Sequence, residues 1–300
     1  MSSCVRYRWI LSFWALGCSL SEEPESVANA KRDATQSEAA ENDAAAEAAN
    51  DEPCPERPAS ALPTGVLEMA VEVYVNGKPL RMAESNELFG QRFIPSNLRF
   101  YISDVSLDGA DSRGVRAELV GKTGQAEPYG THFVNADDAP SLALTLRAPP
   151  GTYRGMSFNW GLSDACNARS TKGLKAPLST DSQMAWPHLV GFLFLRYEGR
   201  VEDPEAGLPD GGTMILPAIH MGGLIGRISA PVVHAKGALV VPAQGGGRAK
   251  LRLVMDEVFR GATADMPPSD DFIGPPLPEA YAGERLRQTA PDRPVFEVVP

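Results

Sequence analysis

Histidine is scarce in this sequence, with four residues among 300: His132, His188, His220 and His234. None belongs to a His-Glu zinc-protease motif, and there is neither a Walker loop nor a Gly-x-Ser-x-Gly elbow. Those absences leave no motif-based case for a hydrolase or a nucleotide-dependent enzyme. Positive charge is also short: 28 Lys and Arg face 38 Asp and Glu, a net charge of -10. Nothing in that balance is built for nucleic acid. Long hydrophobic runs are missing as well. The N-terminal run from Trp9 to Leu16 is about half of the ~20 apolar residues a transmembrane helix needs.

That short run has another use. With Arg6 and Arg8 before it, residues 1–17 read as a signal peptide. The segment ends Ala15-Leu16-Gly17-Cys18, which resembles a bacterial lipobox with Ala15 where Leu is usual. On this reading Cys18 is lipidated and anchors the mature chain to a bacterial membrane; the alternative is ordinary cleavage nearby. Residues 18–61 then form a disordered acidic linker. Residues 21–60 hold eleven acids and three bases and few branched or aromatic residues, so they bury too little to offset chain entropy. Most of the net charge sits there, leaving the rest of the chain close to neutral.

Four cysteines are present. Cys4 leaves with the signal peptide and Cys18 is taken by the lipid. Cys54 and Cys166 remain, and in an oxidising compartment two thiols tend to pair. A free thiol or a partner-linked Cys stays open.

From Gly65 the chain is dominated by strand patterns. Residues 66–75 and 98–107 alternate apolar with other residues, and Asn76-Gly77 follows the first as a tight-turn signal. Further runs are 141–146, 153–160, 191–197, 220–228, 232–241 and 249–254, with Pro and Gly clusters between them. Gly245-Gly246-Gly247 reads as a hairpin loop. Short helical pieces fit near 176–185 and 256–261. The fold class expected is all-β: one antiparallel β-sandwich-like domain over 62–265 with short helical pieces. Residues 266–300 read as a Pro-rich C-terminal tail packed on the domain, with Val295 to Val298 as a candidate last strand.

The stretch most suggestive of chemistry is Met184-Ala185-Trp186-Pro187-His188. Pro187 pushes Trp186 toward an extended backbone. In an extended segment residues two apart point the same way, so Trp186 and His188 can face one spot. Pro187 also argues for a strand's first residues or a sheet edge. On pattern alone, a Trp packed at a core edge beside a surface His is the favoured reading of the stretch.

Four places carry a family resemblance. They are Asn97 to Val105; Gly151-Thr152-Tyr153-Arg154-Gly155 with Phe158, Gly161-Leu162 and Asn167; Ala176-Pro177-Leu178 with Met184 to Arg196; and Ile219-His220-Met221-Gly222-Gly223. In order and spacing the chain resembles the MbnP-like periplasmic copper-binding proteins of methanobactin operons, also described as the four-Cys partner of the metallo-mystery pair. The resemblance implies a sandwich-like fold outside the cytoplasm. It also implies a mononuclear copper site from two His and a kynurenine made by oxidising a Trp. Trp186, His188 and His220 match that arrangement, although many relatives carry a second Trp where His188 stands. A di-haem cytochrome-peroxidase-like partner is implied for the oxidation. Of four mature cysteines in the family this chain keeps Cys54 and Cys166, so the family's disulfide pattern does not carry over. The chemistry agrees: imidazole suits copper, and opening an indole to kynurenine exposes an aromatic amine that can bind metal.

The remaining candidates carry weaker cases. Met184 and Met221 flank the stretch and His220, and a thioether can assist Cu(I), but packing is the commoner role. His132 has a claim to lie near the site, whereas His234 fits a strand's polar face. Asp164 and Asn167 suit either calcium or a turn, with the turn favoured. Trp160 reads as core. The expected function is an extracytoplasmic, non-enzymatic copper-binding protein for capture, storage or transfer, in the periplasm or at the cell surface. The alternatives are a metal-free structural or adhesive surface lipoprotein and, ranked last, a copper-dependent oxidase.

Overall fold

The computed structural model describes residues 54–56, 65–109, 114–121, 123–167, 174–185, 192–202, 215–222, 228–264 and 278–300. The signal peptide 1–17, Cys18, the linker up to residue 53, Trp186 and His188 lie outside the described residues.

The fold is mostly β, with short helical segments. The strands, in chain order, are β1 (Gly65–Val75), β2 (Lys78–Pro79), β3 (Asn86–Leu88), β4 (Gln91–Asp108), β5 (Gly114–Arg116), β6 (Glu118–Val120) and β7 (Thr131–Asn135). After them come β8 (Ala143–Ala148), β9 (Gly151–Trp160), β10 (Leu193–Val201), β11 (Ala218–Gly222), β12 (Val232–Val241) and β13 (Gly246–Val254). Among the described residues two helices, α1 (Met255–Ala262) and α2 (Pro278–Thr289), precede the last strand, β14 (Phe296–Val299). The ladder runs β11-β10-β4-β9-β12-β14-β13-β1-β8-β6, with β2 beside β1, and β3, β5 and β7 beside β4.

Local pattern explains most of these elements. Along β12 exposed and buried residues alternate, with Val233, Ala235, Leu239 and Val241 inward. Asn76 and Gly77 both take left-handed backbone, φ 49° and 69°, and turn β1 into β2 as that dipeptide predicts. The helix expected near 256–261 forms as α1, and the one near 176–185 is a single 3-10 turn, Thr180–Ser182.

Strand β4 organises the domain. It pairs with β10 along Phe93 to Phe100 and with β9 from Ile102 to Leu107. The pairing shifts between Ser103 and Ser106, where Asp104 has φ 52°. Such an irregularity lets one strand serve two parts of a folded sheet. Phe100, Tyr101, Ile102 and Ser103 are all buried, so β4 is covered on both faces there. The extra cover comes from residues 174–185: the Tyr101 hydroxyl lies 3.0 Å from Ser182 Oγ and 3.2 Å from the Pro177 carbonyl.

Three findings depart from the sequence reading. The sheet is not wholly antiparallel, because β1 runs parallel to β13 and β12 parallel to β14. Gly246 and Gly247 begin β13, and β14 lies between β12 and β13, so the glycine run does not close a hairpin. The third concerns residues 266–300: the candidate last strand forms as β14, but the supposed tail also contains helix α2, which the sequence did not suggest. Strand β14 stands inside the ladder, and Phe296 lies 5.0–6.0 Å, centroid to centroid, from the rings of Phe158, Trp160 and Phe100. The aromatic core thus closes only when the last residues arrive. A disulfide joins Cys54 to Cys166, both buried. All these residues belong to one compact unit, residues 48–300.

Candidate metal centre

His220 lies in β11, which ends the ladder beside β10. An open edge strand offers unpaired backbone groups to solvent or to other chains. Here helix α2 closes on it. A Cβ added to Gly283 would fall 1.8 Å from the His220 carbonyl oxygen and 2.8 Å from the Met221 nitrogen. Only a residue without a side chain lets the helix come so near. His220 is consequently 8% exposed, although it occupies an edge strand.

Alternation along β11 sends Ile219 and Met221 into the core, each fully buried, and leaves His220 on the other face. The register pairs Arg196 with His220 and Leu195 with Met221. Glu198, two residues beyond Arg196 on β10, shares the face of both. His220 Nε2 is 3.2 Å from Glu198 Oε1. Arg196 donates from Nε to Glu198 Oε1 at 2.8 Å and from Nη2 to Oε2 at 3.2 Å. Burial pushes the Glu198 carboxyl up, but hydrogen bonding and charge from Arg196, with His220 adding to them, outweigh that and hold it below the ordinary range. It is therefore a carboxylate near neutral pH, able only to accept.

The same arginine reaches the segment before Trp186. Its Nη1 donates to the Gln183 carbonyl at 3.1 Å. Arg99, opposite Arg196 in the β4–β10 register, donates from Nη1 to Gln183 Oε1 at 2.7 Å and to the Ser182 carbonyl at 3.1 Å. Beyond these anchors, Leu193 N–H donates to the Met184 carbonyl at 2.7 Å, and Ala185 bridges Phe192 in antiparallel fashion. The residues on either side of 186–191 are thereby held together. Leu193 also pairs with Gly222, two residues beyond His220.

The other candidates take different places. Met184 and Met221 are fully buried and serve packing. His132, in β7, has Nε2 2.8 Å from the Ser141 carbonyl and pairs across from Ile102 of β4. His234 is exposed on β12. Trp160 is core. Asp164 and Asn167 belong to a turn in which the Ser163 carbonyl accepts the N–H groups of Cys166 and Asn167, each at 2.9 Å. The Asn167 side chain then ties that turn to the Ile228 carbonyl. Among the described residues no three His, Cys, Asp or Glu side chains gather as a metal site. Of the sequence-derived ligand set, His220 is described and Trp186 and His188 are not.

Sequence reasoning missed Glu198, Arg196 and Gln183. A signal for the first two existed: opposite charges two residues apart in a strand otherwise apolar, Leu193 to Tyr197. What they face depends on the β10–β11 register, which no local pattern reveals.

Imidazole is a ligand type that copper takes, and among the described residues His220, hydrogen-bonded to Glu198, is the part of the sequence-derived set that is seen. Among the described residues no helix is long and apolar enough to cross a membrane.

Comparison with known proteins gives two matches. The MbnP family model matches residues 64–263. Among solved structures, MbnP from Methylosinus trichosporium is 15% identical, with a TM-score of 0.45, covering 79% of this chain and 99% of that one. No curated protein matches the chain.

Proposed function

Because the chain belongs to the MbnP family, we propose that it is an extracytoplasmic, non-enzymatic copper-binding protein that captures, stores or hands on the metal. The proposed ligands are His220, His188 and Trp186 in an oxidised, kynurenine form, and a lipid on Cys18 is the proposed membrane anchor. A di-haem cytochrome-peroxidase-like protein is the proposed partner for the oxidation.

One observation carries this reading. The single described imidazole of the set sits on a buried edge-strand face, bound through Nε2 to Glu198, on the strand next to the bridged ends that bracket residues 186–191. Copper, when bound, would supply a redox-active cation. The chain's part is to present the imidazole, hold its orientation and cover the edge with α2.

The test is metal analysis of the mature protein purified with and without added copper, beside His188→Ala and His220→Ala. One copper per chain in the wild type, lost in both variants, is expected. A folded wild type that takes up no copper refutes the reading in favour of a metal-free surface lipoprotein. Peptide mass spectrometry gives a second readout. The peptide containing Trp186 should show loss of one carbon and gain of one oxygen when the haem partner is present, and no change without it.

A further inference from the structure

We infer that the cleft between β12 and β13 is a receptor for the chain's own last strand, and that the domain stays open until that strand enters. Because the C-terminus is made last, a domain of this kind cannot close before its synthesis is complete. The inference is independent of any metal.

The topology carries the first half. Strands that follow one another in the chain usually pair. β12 and β13 are joined by residues 242–245 alone, yet β14 lies between them. At the turn the two strands remain close: a Cβ added to Gly247 would stand 3.1 Å from Pro242 Cδ and nearer still to the Val240 carbonyl oxygen. Away from the turn they part. There β14 pairs with β13 from Leu253–Phe296 to Lys250–Val299 and with β12 at Lys236–Glu297. Without β14 the ladder falls into two pieces, β11-β10-β4-β9-β12 and β13-β1-β8-β6, each ending in an unpaired edge.

The walls of the cleft fit this occupant. Gly237 of β12 has φ 147°, and a Cβ there would lie 2.8 Å from Val298 Cβ and nearer still to the Val298 carbonyl oxygen. The pairing of β12 with β9 shifts between Lys236 and Leu239, an irregularity that bends the strand where β14 passes. On the inner face Phe296 and Val298 are buried, Phe296 among the rings of Phe100, Phe158 and Trp160. On the outer face Glu297 stands opposite Lys236 of β12 and opposite Arg252 of β13, 3.7 Å from that guanidinium. The Val295 carbonyl accepts the Val254 N–H at 3.0 Å and sets the register where β13 ends. An apolar-acidic-apolar strand is thus matched by rings on one side and by cations on the other. Addition of an extended segment to open sheet edges is a general mode of peptide recognition.

The experiment compares the full mature chain with one ending at Asp292, refolded alone and with a synthetic peptide of residues 293–300. At roughly 1 mM the peptide approaches the effective concentration that a short tether provides. Near-UV circular dichroism and cooperative urea unfolding report closure. The shortened chain alone should lack both, and the peptide should restore both. A peptide carrying Phe296→Ala should bind about 100-fold more weakly or worse. In the full chain Gly237→Ala, which obstructs the cleft wall, should lower the urea midpoint. A shortened chain with the near-UV signal and urea midpoint of the full chain overturns the inference, because the domain then closes without β14. A shortened chain that stays open in the presence of the peptide overturns the receptor role, and so does equal restoration by the Phe296→Ala peptide. A Gly237→Ala chain as stable as the wild type overturns the fit of the cleft wall.

Discussion

Gly283→Ala tests whether the contact of α2 with β11 is as close as the backbone implies. The new methyl carbon would stand 1.8 Å from the His220 oxygen and 2.4 Å from its carbonyl carbon. Carbon and carbonyl oxygen rarely approach nearer than about 3.3 Å, so the helix must retreat by about 1.5 Å. Neither side can rotate away, since both contacts are backbone. Forced overpacking of this kind costs about 1–3 kcal/mol. Ala282 and Leu286, both fully buried, would lose part of their packing with it. Against this, alanine in place of glycine favours the helix by about 1 kcal/mol. The clash prevails, and a net loss of about 1 kcal/mol is expected. For a domain of this size that lowers Tm by about 2–4 °C. Urea and thermal unfolding measure it, with Gln288→Ala at an exposed position of the same helix as the control. If Gly283→Ala is as stable as the wild type or more so, the close contact is wrong, and with it the account of why His220 is buried.

Phe296→Ala should cost about 3–5 kcal/mol, because its ring meets Phe100, Phe158 and Trp160 where β14 enters the ladder. A loss below 1 kcal/mol in urea unfolding would show that the C-terminal strand is peripheral. Reduction of Cys54–Cys166, or their joint replacement by alanine, opens a link between residues 112 apart and should lower stability by about 2–5 kcal/mol. Equal urea midpoints with and without reductant would contradict this. On α2, the hydrogen bond from Arg287 holds the Glu284 carboxyl below its ordinary range; burial opposes it, and further help comes from the Arg287 charge and Gln288. A carboxyl lowered on folding adds stability above its unfolded pKa of about 4.3 and loses it as pH falls through the folded value. Unfolding followed from pH 6 to pH 3 should thus lose a few tenths of a kcal/mol less in Glu284→Gln than in the wild type. Identical profiles would refute the assignment.

The strand content, the Asn76-Gly77 turn and helix α1 were legible because each depends on neighbours a few residues away. Alternation along 232–241 is enough to place Val233, Ala235, Leu239 and Val241 on one side of a strand. The same logic did not lead to α2, whose residues read only as part of a Pro-rich tail. Its residues follow a Pro-rich stretch, and the glycine at its centre lowers helix propensity. That glycine makes sense only beside the His220 carbonyl, 63 residues earlier in the chain.

The site divides along the same line. Sequence alone picked out His220, because so few imidazoles are present and the surrounding motif resembles a known family. It also marked residues 191–197 as a strand, and with them Arg196. It could not pair Arg196 with His220, set β14 between β12 and β13, or bring Gln183 to the guanidinium. Each of those is a choice of partner and register among strands far apart in the chain, decided by which faces and ends bury together once the sheet closes. Side-chain period is a property of a short segment; register is a property of the packed whole.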